Sequence, residues 1–147
     1  MMEQRVKIAA MLPEVNKAMI SLALSINKSE LTPIQKELVK IRASQINGCA
    51  FCLDMHTRDA LKLGETAQRI FLLNAWEEAG LFTAEEKAIL ALTEEVTLIS
   101  ERGVTDKTYQ QLQQFFSEEV IAQIIMSVVM INAWNRIAVS TQMPPGS

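Results

Sequence analysis

Apolar residues recur at three- and four-residue steps along nearly the whole chain, and no stretch sustains a period of two with strand-forming residues. Thr32-Pro33-Ile34-Gln35 combines an N-cap, a proline at the first helical position and a capping-box partner. A helix is predicted from there to about Ile46, stopped by Asn47-Gly48. The next opens around Cys49 and closes at Gly64, and a third covers roughly Thr66 to Ala79, ending at Gly80. The capping box Thr83-Ala84-Glu85-Glu86 starts a helix carrying Ile89, Leu90, Leu92, Val96 and Leu98 toward Gly103. Thr105 caps a short helix through Leu112, and Ser117 with Glu118 and Glu119 opens the last long one. An N-terminal helix fits Val15 to Ile26, with Pro13 near its start or at a kink. The pattern predicts an all-α, single-domain bundle of about six to seven helices over residues 1–143, followed by a flexible tail, 144–147.

The last helix raises the question of a membrane. Val120 to Trp134 is strongly apolar, but Gln123, Ser127 and Asn132 break it, and it falls short of the roughly 20 residues a span requires. A buried central helix, apolar nearly all round and able to serve a subunit contact, is the expectation. No interdomain linker, low-complexity tract or repeat interrupts the chain. Asn74-Ala75-Trp76 recurs as Asn132-Ala133-Trp134, which is too short to establish duplication.

Composition narrows the function classes. The 147 residues are one domain's length, and 49% hydrophobic content with 21% charge fits a packed globular protein. A net charge of −3 argues against a nucleic-acid-binding surface. The N-terminal Met1-Met2-Glu3-Gln4-Arg5-Val6-Lys7 has no apolar secretion core, so a cytoplasmic location is expected. There, a close cysteine pair points to catalysis, redox chemistry or metal binding rather than a permanent staple. There is no glycine-rich phosphate loop, and no cofactor is expected.

The candidate chemistry is concentrated in one place. Cys49, Cys52 and His56 are the chain's whole supply of cysteine and histidine, and they sit within Gly48-Cys49-Ala50-Phe51-Cys52-Leu53-Asp54-Met55-His56. On a helix, these three positions fall within about 60° of one another. A thiol with the ordinary pKa near 8.5 is only about 3% thiolate at pH 7. If Gly48 ends one helix and Cys49 starts the next, free backbone N–H groups favour an anionic sulfur. An i, i+3 pair has its Cα atoms about 5 Å apart, within disulfide range. His56, one turn beyond Cys52, is placed to take or return a proton.

Three readings stay open on the residues alone: a redox dithiol, a zinc module using Cys49, Cys52 and His56, and a helical scaffold with incidental cysteines. Zinc would need a fourth ligand from a carboxylate or water, since no other cysteine or histidine exists. Haem attachment needs histidine directly after the second cysteine, where Leu53 stands. Trp76, Trp134, Phe71, Phe82, Phe115 and Phe116 read as core or interface. Arg58 and Asp59 sit beside the motif's helix turn, where a place at the site and solvated surface stay equally open, and Asn135-Arg136 receives no role.

The segment from Glu37 to His56 resembles the core of alkylhydroperoxidase D-like proteins of the carboxymuconolactone decarboxylase superfamily. Their motif is a glutamate, eleven residues, Cys-x-x-Cys, three residues and histidine, and each element stands here at that spacing. The similarity continues through Thr57-Arg58-Asp59-Ala60, Gly64-Glu65, Trp76 and the segment from Phe82-Thr83 to Leu90. The resemblance implies an all-helical homo-oligomer that reduces hydroperoxides through its thiols and is reset by an external dithiol. It also implies that Glu37 forms a proton relay with His56. Some members carry a second histidine between the cysteines, where this chain has Phe51, and the decarboxylase branch generally lacks the cysteine pair. Cys52 is expected to attack the peroxide and Cys49 to resolve it, with no nucleic acid or membrane as partner.

Overall fold

The computed structural model describes residues 3–146, which are helical throughout with short connections. Among them are ten α-helical segments and one 3₁₀ turn: α1 Ile8–Met11, α2 Pro13–Ile26, α3 Pro33–Asn47, α4 Ala50–Lys62, α5 Ala67–Phe71, a 3₁₀ turn Leu73–Ala75, α6 Trp76–Ala79, α7 Ala84–Thr97, α8 Ile99–Arg102, α9 Asp106–Phe115 and α10 Glu118–Thr141. The all-α class and the main boundaries follow the sequence pattern; the count exceeds six to seven because two expected helices are broken and a short one precedes Pro13.

Each break has a physical reason. Ile70, Leu73 and Trp76 are all buried and lie three residues apart. An α-helix would rotate Trp76 well off the face of Ile70, whereas three residues per turn stack all three on one side. The chain therefore passes through the 3₁₀ turn between α5 and α6 rather than forming one helix over 66–79. The expected helix toward Gly103 breaks at Leu98 instead (φ −98°, ψ 40°). The buried stripe of α7 ends at Thr97, and the four residues of α8 bury nothing, so packing no longer holds the axis. The helix opened by Thr105 runs on to Phe115, past the expected Leu112.

Helix α3 is the shared wall of the bundle. Val39 and Ala43 pack into one core with Ala88, Ile89 and Leu92 of α7, Leu112 of α9, and Ile121, Ile124 and Val128 of α10. Leu38 and Ile41 face a second core with Ala60, Leu73, Trp76, Phe82 and Leu90. Burying side chains of this size contributes about 1.5–3 kcal/mol each. Helix α10 is long and apolar enough to pass for a membrane span, yet it packs against α3, α4, α7 and α9 as the bundle's central helix. Helix α2 is different: it buries no residue and leaves Val15, Ile20, Leu22 and Leu24 exposed.

Candidate active site

The site begins where α3 stops. Gly48 adopts φ +66°, a left-handed conformation that glycine reaches without a Cβ penalty, and the Cys49 amide bonds back to the Ser44 carbonyl at 3.0 Å. Cys49 thereby becomes the N-cap of α4, and its Sγ accepts the Cys52 backbone N–H at 3.3 Å. This junction is pinned from behind by α10. Asn135, fully buried, donates to Ser44 Oγ at 3.0 Å and accepts from Asn47 Nδ2 at 3.0 Å. Asn47 Nδ2 also donates to Asn132 Oδ1 at 2.9 Å, and Asn132 Nδ2 reaches Thr97 Oγ1 at 3.0 Å. A satisfied amide network of this kind fixes the junction because any slip would strand its polar groups.

Cys49 and Cys52 are joined as a disulfide, with Cα atoms 5.3 Å apart. They are 1% and 2% exposed and pack with Ala138 of α10, Phe51 and Met143. Beyond Met143, the Gly146 carbonyl accepts from Arg58 Nη2 at 3.3 Å, so the C-terminal segment runs back across α4.

His56 projects from the next turn of α4 and meets Glu37, which comes from the first turns of α3. His56 Nδ1 lies 3.0 Å from Glu37 Oε2, and Lys40 Nζ donates to Glu37 Oε1 at 3.0 Å. Burial opposes the charge on Glu37, but the hydrogen bond from His56 and the Lys40 ammonium outweigh it and hold the carboxyl below its ordinary value of 4.5. An ionised carboxylate can only accept, so Nδ1 carries the shared proton and Nε2 is left free in the neutral ring. A carboxylate oxygen of Asp59, an oxygen of Glu37 and a ring nitrogen of His56 all lie within 4.8 Å of one another. Asp59, which the sequence left open between the site and solvated surface, thus lies beside the same ring from the following turn.

Beside these residues opens a cavity of about 650 Å³. Cys52 and His56 line it, whereas Cys49 does not. Its walls include Ile20 and Leu24 of α2, Phe51 and Met55 of α4, and Met130 and Trp134 of α10. All four expected site residues are therefore in one neighbourhood, and Cys52 is the cysteine that contributes to the cavity wall.

Residues 13–95 match the carboxymuconolactone decarboxylase family. The uncharacterized protein YdfG of Bacillus subtilis is 43% identical over 139 residues, spanning 95% of each chain. The chain belongs to the carboxymuconolactone decarboxylase family. Within it, the chain is AhpD-like. A protein of unknown function from Agrobacterium tumefaciens, described as a candidate antioxidant defence protein AhpD, superposes with a TM-score of 0.95 at 37% identity, over 99% of both chains. A peroxidase-related protein with an AhpD core from Ralstonia eutropha shares the fold, with a TM-score of 0.82 at 19% identity over 95% of this chain and 74% of its own.

Proposed function

We propose that this AhpD-like protein is a thiol-dependent hydroperoxide reductase. The observation that carries the reading is the 3.0 Å contact between Glu37 and His56, on the helix that presents Cys52 to the cavity. In the reduced protein His56 Nε2 takes the Cys52 thiol proton; the Cys52 thiolate attacks the terminal peroxide oxygen, the O–O bond breaks, and the imidazolium returns that proton to the departing alkoxide. Cys52 is then a sulfenic acid. The Cys49 sulfur attacks that sulfur as its thiol proton is lost, the disulfide forms, and the hydroxyl leaves as water carrying that proton. An external dithiol supplies the two electrons of the reset, attacking the sulfur of Cys52, the cysteine in the cavity wall, and expelling Cys49. The expelled sulfur leaves as a thiolate stabilised by the Cys52 N–H and the α4 N-terminus, which speeds its departure.

A reducing cytoplasm suits this cycle, because a dithiol pool must be at hand. The large apolar side chains that α2 leaves exposed support assembly with a second copy of the chain, since exposed apolar surface is a common mark of a subunit contact. The competing zinc reading finds less support: the two sulfurs are bonded to each other and His56 gives Nδ1 to Glu37.

The reaction is tested on reduced protein mixed with cumene hydroperoxide. Cys49→Ser should accumulate a trappable sulfenic acid and Cys52→Ser should not, while His56→Ala slows thiol loss by about 100-fold. The opposite trapping pattern would exchange the two cysteines' roles. Oxidation no faster than that of free cysteine, or stoichiometric zinc in freshly purified protein, would overturn the reading.

A further inference from the structure

The cavity is far larger than the smallest peroxide needs. A water occupies about 30 Å³ of liquid, and hydrogen peroxide roughly twice that, so either would fill a small part of the 650 Å³. Enclosures of a few hundred Å³ with mainly apolar walls hold organic molecules. Phe51, which stands between the cysteines, contributes an aromatic face to that wall rather than a proton carrier.

The charges facing the cavity have one sign. Lys7, Lys36 and Lys40 line it, and no Asp or Glu does so among the described residues. Lys40 is paired with Glu37. Lys36, half-buried one turn earlier on α3, donates to the Asn27 backbone carbonyl and has no carboxylate partner among the described residues. Lys7 is exposed and has none either. A partly desolvated ammonium without a counter-ion, beside an apolar enclosure, favours a ligand that brings both a negative group and hydrocarbon.

We infer that the substrate is a large apolar hydroperoxide bearing an anionic head group, of the class of long-chain carboxylic acid hydroperoxides. Its carboxylate sits on Lys36 and its hydroperoxide meets Cys52. The inference deepens the peroxidase reading and rests on it for the chemistry: the hydroperoxide becomes the alcohol, the two thiols become the disulfide, and one water is released. The binding preference itself does not depend on turnover.

Two measurements test it separately, both below the ligands' micelle concentrations. In the first, reduced protein meets linoleic acid hydroperoxide, its methyl ester and hydrogen peroxide at low ionic strength. The acid should exceed its ester in kcat/KM by about tenfold, and Lys36→Gln or added salt should bring the ratio toward one, with Lys36→Arg retaining it. In the second, Trp134 in the cavity wall reports binding by fluorescence. Oleate should change its emission at about tenfold lower concentration than methyl oleate, again through Lys36. Equal behaviour of acid and ester in both measurements overturns the inference and leaves the peroxidase reading standing. Oleate selectivity without oxidation by any hydroperoxide would sustain the anionic apolar site and overturn the peroxidase reading.

Discussion

The protein contains two buried glutamate clusters that look alike on paper and differ in one respect. At the far side of α7, Arg69 bridges Glu65 and Glu86, with Nε 2.8 Å from Glu65 Oε1 and Nη2 paired to Glu86. Its guanidinium also donates to the Leu81 carbonyl at 2.6 Å and lies 4.5 Å from the centre of the Phe82 ring. At the cysteines, Glu37 is held by Lys40 and His56. Both sets bury carboxylates and complete their hydrogen bonds. Arginine keeps its protons at any physiological pH, however, while an imidazole can exchange one. Only the second cluster can join a reaction, so burial of a glutamate marks the site less well than the identity of its partner.

Arg69→Met should produce the larger change. It leaves the Glu65 and Glu86 carboxylates buried without a cation, a situation that costs about 3–5 kcal/mol. The loss should show as a lower urea midpoint, with thiol oxidation per folded molecule unchanged. A stability loss below about 1 kcal/mol would mean that the carboxylates find water or protonate at little cost, and the two clusters would differ less than their contacts imply.

Glu37→Gln should reverse the balance. Glutamine keeps the shape and can still accept from Lys40, so stability should move by about 1 kcal/mol or less. Without the negative charge, the imidazole loses the group that fixes its tautomer and supports its proton transfer, and hydroperoxide-dependent oxidation should slow by about 100-fold. The matching Glu86→Gln, which retains a competent capping-box partner, should leave that rate alone. If Glu86→Gln and Glu37→Gln slow oxidation equally, the relay has no special place in the reaction.

These two clusters were unequally legible in the sequence. The geometry of a single helix is enough to gather Cys49, Cys52 and His56, because they share one face. No periodicity brings Glu37 to them: it lies nineteen residues earlier on another helix, and its role came from the family spacing. The Thr83-Glu86 capping box was readable because it is local, whereas Arg69 reaching back from α5 to complete it was not. Asn132 stood out as a polar break in an apolar helix and Asn135 received no role; the purpose of both depends on which polar groups face them after folding. The 3₁₀ turn had a signal, the three-residue spacing of Ile70, Leu73 and Trp76, that a helical reading passes over. The cavity had none, since α2, α3, α4 and α10 supply its walls from distant stretches of chain.

Acid should affect both clusters in the same direction, and this separates charge from shape. The Glu37 and Glu86 carboxyls are each held below their ordinary value of 4.5: burial opposes their charge, but the bonds from His56 and Lys40 at Glu37, and from Arg69 and Thr83 at Glu86, outweigh it. Depressed native values mean that the unfolded chain binds more protons in mild acid. Stability is therefore fully present above about pH 4.5 and is lost as the pH falls through the native values. Urea midpoints measured from pH 7 down to 3.5 should be flat at first and then decline. Glu86→Gln should shallow the decline by removing one of the protonating groups, and Glu37→Gln should do so independently, because the clusters share no partner. A decline that neither substitution softens would assign acid sensitivity to other carboxylates, and the pairing of these two glutamates would then contribute shape alone.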